Sequence, residues 1–218
     1  MKAKGFKLAL GLLMVTALVG CAAATTAFTK RTLEVQTSMS GTVFFDPDNR
    51  QDRTVFIEVR DTSGVEKHSA LPDLKALLVE ELRQRGYTLT TNRVAAHYSV
   101  QANVLQIGKV APTALQQLRT LHYGTPLSNV AWDLEVKGGV STPTIAGIGE
   151  WASGLLVRDV TFTVVIDLKL SQRLSAGRGH KEHYLRVVSA ANQFNLSFEK
   201  AWHALCADLA RSIAGILA

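Results

Sequence analysis

Cysteine is nearly absent, with two among 218 residues. That is too few to staple a fold, so a chain of this length must rely on a hydrophobic core. Long apolar runs are missing as well: no window approaches the roughly 18 uninterrupted apolar residues of a membrane-spanning helix, which excludes a polytopic membrane protein. Aromatics make up only 7% of the chain and the basic residues are scattered singly. Binding to a phosphate backbone needs a concentrated basic stripe with interleaved aromatics, so nucleic acid is not an expected partner. What is present is ordinary for a globular protein: 47% hydrophobic and 19% charged residues, a balance that excludes general disorder.

The first 20 residues read as a removable leader. Met1 to Lys7 is a positively charged start with Lys2, Lys4 and Lys7, and Leu8 to Leu18 is an apolar core of secretory-signal length, too short for a stable span. The core ends in Leu18-Val19-Gly20-Cys21, which resembles the lipobox of bacterial lipoproteins. The chemistry requires these residue types: a thiol is alkylated with diacylglycerol and the chain is then cut just before it, between Gly20 and Cys21. Small side chains beside the cut let the backbone lie extended in a protease groove. Cys21 would become the lipid-bearing N-terminus, and each buried CH₂ of its acyl chains contributes roughly 0.8 kcal/mol, so that two chains anchor stably. Ala22-Ala23 follows, without the Asp that retains lipoproteins on the inner membrane in enterobacterial-type sorting, so the outer membrane is the expected destination.

Removing the leader changes two other readings. The formal charge falls from +6 to +3, because three lysines and no acidic residue leave with it. With the Cys21 sulfur in a thioether, Cys206 loses its intramolecular partner, and its apolar neighbours Ala204, Leu205 and Leu209 predict a buried thiol, the alternative being an intermolecular bridge.

Residues 21–32 suit a tether, and residues 33–218 read as a single α/β domain interrupted by an insert over 111–156. Strands are expected over Thr32–Val43, Thr54–Arg60, Tyr87–Thr90 and His97–Val110. A helix opens at Leu71-Pro72-Asp73, carries Leu74, Leu77, Leu78 and Leu82, and closes at Gly86. The insert contains Pro112, Pro126 and Pro143 and the glycines from Gly124 to Gly154, with Trp132 and Trp151 flanking its apolar centre. Trp in such a place sits either at a lipid headgroup boundary or over a core. Beyond it, Val160, Phe162, Val164, Ile166, Leu168 and Leu170 form an unbroken strand face, answered after the Ser175–Gly179 turn by a second strand over Glu182–Ser189. A last helix runs from about Leu196 to Leu217. The fold class expected is α+β: a small mixed or antiparallel sheet with two packed amphipathic helices on one face and a Gly/Pro-containing central insert.

Catalytic and metal-binding signals are weak. His180 and His183 are three apart in an extended segment and do not converge as a helical pair would. Glu80 and Glu81 are adjacent on a helix, about 100° apart, and cannot share a proton. No nucleophile elbow, Walker loop or dinucleotide spacing occurs. No enzyme activity, cofactor or metal is expected.

Several segments in order are similar to the TraT family of outer-membrane lipoproteins, known for surface exclusion in conjugation and for complement resistance. They are Thr29–Ser40, Arg53–Phe56, Gln101–Leu105, Asp159–Phe162, Arg186–Leu196 and Ser212–Leu217. The resemblance implies a ring-like homo-oligomer, lipid-anchored in the outer membrane and exposed at the cell surface. It also implies a non-catalytic action: binding or masking a component of a donor cell's mating apparatus, and obstructing complement assembly. In that family the middle of the chain is a long Gly/Ala-rich apolar segment associated with the membrane. Here the insert is shorter and more polar, carrying Arg119, His122, Asp133, Glu135, Lys137 and Glu150. The alternative is a lipoprotein of the same body plan that faces the periplasm and serves an envelope assembly.

Overall fold

A computed structural model describes residues 32–45, 52–63, 70–133, 159–174 and 179–217. Among these, seven strands form one mixed sheet: β1 (Glu34–Met39), β2 (Thr54–Asp61), β3 (Thr88–Leu89), β4 (Tyr98–Val110), β5 (Trp132–Asp133), β6 (Asp159–Arg173) and β7 (His180–Phe194). The strand order is β1-β7-β6-β4-β2-β3, with β5 paired to the end of β4. Pairing is antiparallel from β1 to β4, while β2 runs parallel to both β3 and β4. Three helices complete the fold: α1 (Ala70–Gln84), α2 (Pro112–Thr120) and α3 (Phe198–Ile216). The α+β class expected from the sequence is what the structure has.

The long hairpin of β6 and β7 is the spine. On β6, Phe162, Val164, Ile166, Leu168 and Leu170 are buried on one face, as their alternation predicts, and Val160 packs beside them half-buried. Against that face lie α1, through Leu74, Leu78 and Leu82, and α3, through Trp202, Leu205, Leu209 and Ile213. Cys206 sits fully buried in the same cluster and forms no disulfide among the described residues. Leu77 departs from its expected place. It is one position off the 74–78–82 line, and at 37% exposure it lies outside the core. Gly86 ends the helix at φ +82, a conformation that disfavours any residue with a Cβ. Tyr87, immediately after it, donates its hydroxyl to the Leu217 carbonyl and joins the two helix ends.

Two further findings extend the sequence reading. The insert begins with regular structure: α2 starts on Pro112 and β5 pairs with Lys109 and Val110. Moreover, α2 lies on the sheet face opposite α1 and α3, where Ala114 and Leu118 cover Val165 of β6 and Val188 of β7 in a second, smaller core. Trp132 packs on this second core, so of its two readings the core-capping one holds. Trp151 and the rest of the insert from 134 to 158 lie outside the described residues.

The register gives the molecule two distinct ends. Val35, Ala191, Phe162, Lys109 and Asp133 form one transverse row across five strands. The chain enters β1 at this end, leaves for residues 134–158 after Asp133, and returns at Asp159, paired with Phe194. The opposite end carries the starts of β2, β4 and β7 and the end of β6, in the row Val55, Tyr98, Gln172 and Lys181. At about 3.3 Å per residue, the ten steps from Phe162 to Gln172 separate the two rows by about 33 Å.

Candidate functional site

Gly20 and Cys21, the expected cleavage and lipid-attachment positions, lie outside the described residues. The face of the sheet not covered by α1 and α3 is where polar side chains gather, and its centre is an ion pair at an unusually low exposure. Arg186 on β7 and Asp167 on β6 are directly opposite in register. Arg186 Nε donates to Asp167 Oδ1 at 2.8 Å and Nη2 to Oδ2 at 3.0 Å, with the Arg side chain 1% and the Asp side chain 10% exposed. A guanidinium buried this deeply is tolerated only when its remaining donors are satisfied. Here Nη1 donates to the Thr125 carbonyl at 2.8 Å, and the Gly124 amide donates to Asp167 Oδ2 at 2.9 Å. The pair therefore clamps the segment that follows α2. Gly124 adopts φ +75 to present that amide, so a side chain there is strained. On the other side, Ser40 Oγ accepts from the Arg186 amide at 2.8 Å, and the Ser40 amide donates to the Arg186 carbonyl at 2.9 Å.

Edge strand β1 is fixed from both faces. Thr37 Oγ1 donates to Asp208 Oδ2 of α3 at 2.6 Å and lies 2.7 Å from Ser189 Oγ, while Arg119 of α2 donates to Gln36 Oε1 at 2.9 Å. The first strand after the expected tether is thus gripped by both helical layers.

Beyond the clamp, the same face opens toward solvent. Lys169 Nζ lies 2.8 Å from Glu182 Oε1 and 5.1 Å from the Tyr184 ring centroid, and the Tyr184 hydroxyl donates to Glu182. The Lys169 ammonium and the Tyr184 hydroxyl hold the Glu182 carboxyl below its usual range, and Glu182 raises Lys169 in return. Tyr184 and Tyr123 meet edge-to-face at 5.0 Å, both more than 40% exposed. Toward β2, Gln101 Nε2 donates to Glu58 Oε2 at 2.7 Å and, with Arg60, lowers the Glu58 carboxyl.

At the far end, Asp52 accepts from Thr54 Oγ1 at 2.7 Å and from Arg173 Nη2 at 2.8 Å, with His97 Nδ1 at 3.9 Å. The Thr54 hydrogen bond is the largest cause lowering the Asp52 carboxyl. His180 and His183 fall on opposite faces of β7: His183 is packed edge-on against Phe45, whereas His180 lines a cavity on the face bearing the ion pair. Glu80 is exposed, and Glu81 pairs with Arg85 along α1. Among the described residues, no three His, Cys, Asp or Glu side chains are placed to hold a metal ion, and no helix is long and apolar enough to cross a membrane.

The arrangement is a polar face braced at its centre by a buried ion pair. Its clamp was absent from the sequence reading, although a signal existed. Every β6–β7 pair is symmetric about the 176–177 bond, so centring the expected hairpin there sets Asp167 opposite Arg186.

The family model and the curated relatives agree on one family. Residues 32–181 match the family model described as Enterobacterial TraT complement resistance protein. A TraT complement resistance protein of Escherichia coli is 30% identical, over 93% of this chain and 94% of its own length. One from Wigglesworthia glossinidia brevipalpis is 26% identical, over 97% and 96%. Among solved structures, PelC from Paraburkholderia phytofirmans aligns over 84% of this chain and 98% of its own at 10% identity and a TM-score of 0.35. A DUF4136 family protein from Bacteroides thetaiotaomicron aligns over 86% and 95% at 11% identity and 0.36. With the matched region covering most of the chain and the relatives spanned nearly end to end, the protein belongs to the TraT complement resistance family.

Proposed function

We propose that this protein is an outer-membrane lipoprotein, anchored through an acylated Cys21 and assembled as a ring-like homo-oligomer. In this reading it excludes redundant conjugative mating and contributes to complement resistance by occupying or masking surfaces, without catalysis. Family membership carries the functional part of this reading. The two-ended architecture supports the anchoring part. The chain enters β1 at the end of the sheet from which residues 134–158 depart and to which they return. Acyl chains at Cys21 would then hold this end toward the lipid, and the opposite end would project into water. Eleven Cα-to-Cα steps separate Cys21 from Thr32, a reach of at most about 40 Å when extended.

The mechanism follows from what a rigid face can do. An incoming donor must bring a mating apparatus into stable contact with the recipient. A dense array of bodies clamped by buried ion pairs presents the same surface in every copy, and a complementary donor component bound there is withdrawn from docking. Steric obstruction of lytic complexes would use the same array.

A recipient expressing the protein, mated with a donor carrying the related plasmid, tests this directly. Transfer is expected to fall relative to a recipient lacking it, whereas an unchanged frequency would reject exclusion and leave the periplasm-facing assembly role.

A further inference from the structure

The end of the sheet remote from the β1 entry contains a cavity of about 340 Å³ on the face bearing the Asp167–Arg186 clamp. Its floor is made by the register. Ser99 of β4, Ser171 of β6 and Glu182 of β7 stand directly opposite one another on three adjacent strands. Its walls are the segment before β4, bearing Arg93 and His97, and the start of β7, bearing His180.

Ser99 is 7% exposed and Ser171 5% exposed, so both residues belong to the floor of the cavity rather than its rim. Ser99 Oγ is buried with no hydrogen-bond partner. An unmet hydroxyl costs about 1–3 kcal/mol in a protein interior, a penalty relieved when something in the cavity bonds to it. Neighbouring positions in the same row pattern behave differently: Gln101, two residues along β4, is bonded to Glu58.

The charges around the cavity decide what fits. Glu182 is the carboxylate in the lining, and it is occupied by Lys169 and Tyr184. Asp52, behind His97, is occupied by Thr54 and Arg173. Arg93 has no ion pair among the described residues and is only loosely attracted to Glu58, whose oxygens are taken by Gln101 and Arg60. Beside the apolar Val94 and Ala96, the lining presents a guanidinium, two imidazoles and two serines, and its carboxylate is paired with Lys169. This donor-rich set complements an oxyanion. The volume lies at the small end of ligand sites, enough for one sugar-sized molecule.

We infer that this cavity is a binding site for a small molecule or terminal group bearing a phosphate or carboxylate, with Arg93 pairing the anion and the Ser99 hydroxyl donating from below. About 30 Å of sheet lies between Ser171 and the row of Phe162. The site therefore opens well away from the strand ends where the chain enters β1 and where residues 134–158 depart. It does not depend on the exclusion reading and survives its failure.

The test is calorimetric titration of the full-length lipoprotein in detergent with inorganic phosphate and, separately, with glucuronate. Saturable binding of either is expected, and the better of the two names the anion as phosphate or carboxylate. Arg93→Gln and Ser99→Ala should each weaken it about tenfold or more, the scale of losing one hydrogen bond to a charged group. Both variants should keep the wild-type melting temperature, and Lys75→Gln on the opposite face should bind as wild type. No saturable binding of either probe up to about 10 mM would overturn the proposal, as would unchanged affinity in Arg93→Gln and Ser99→Ala.

Discussion

Asp167 and Arg186 carry opposite charges into the interior on the side of the sheet that also holds the smaller core, and their worth lies in what depends on them. Removing one partner leaves the other buried and uncompensated, which costs about 3–5 kcal/mol, whereas replacing both with apolar residues of similar volume is often close to neutral. Asp167→Ala is therefore expected to lower the urea-unfolding free energy by that amount, and the Asp167→Leu/Arg186→Leu double variant by much less. Equal losses in the two would show that the residues are not coupled. The exposed pairs on the same face carry no such weight: Lys169–Glu182 and Arg60–Glu58 are each worth about 0–1 kcal/mol at most. In the sequence, Asp167 is merely a polar residue in the alternate register of a strand. The hairpin centre reveals its partner, but the capping by Gly124 and Thr125 is invisible because those residues come from another element 43 positions or more away. The cavity at Ser99 and Ser171 was equally illegible, since it needs the β4–β6–β7 register together with the segment carrying Arg93.

Elements whose apolar residues share one period were legible, and those held by a few contacts were not. Six alternating apolar residues announce β6, and α3 reads from Phe198, Trp202, Leu205, Leu209, Ile213 and Ile216 at helical spacing, with Ser197 capping its start. By contrast, α2 is nine residues long and buries only Ala114 and Leu118, too few to show a period amid Pro112 and Gly124. The leucines of α1 show how fine the distinction is. Leu74, Leu78 and Leu82 are inaccessible at i, i+4, i+8, while Leu77 belongs to the exposed side of the same helix. Leu78→Ala should cost about 2–5 kcal/mol. Leu77→Ala should stay within about 1 kcal/mol, as surface substitutions do. Denaturation midpoints of the two variants decide it, and comparable losses would mean that α1 is rotated from the orientation described.

For the molecule as a whole, direction is the main consequence of the topology. Because β1 begins where β4 and β7 end and β6 starts, one end of a sheet about 33 Å long gathers the chain entry and both borders of residues 134–158. The other end holds the Asp52–Arg173 pair and the donor-lined cavity. The α+β class was legible from the periodicity of the strands and helices, yet this polarity was not, because it emerges only once five strands share a row. The proposed lipid at Cys21 would fix the first of these ends to the outer membrane. The most direct measurement is fractionation of cells expressing Cys21→Ser beside wild type, with carbonate washing of purified outer membranes. Wild type is predicted to stay with the washed membranes and the variant to leave them; a variant retained as fully as wild type would contradict the account.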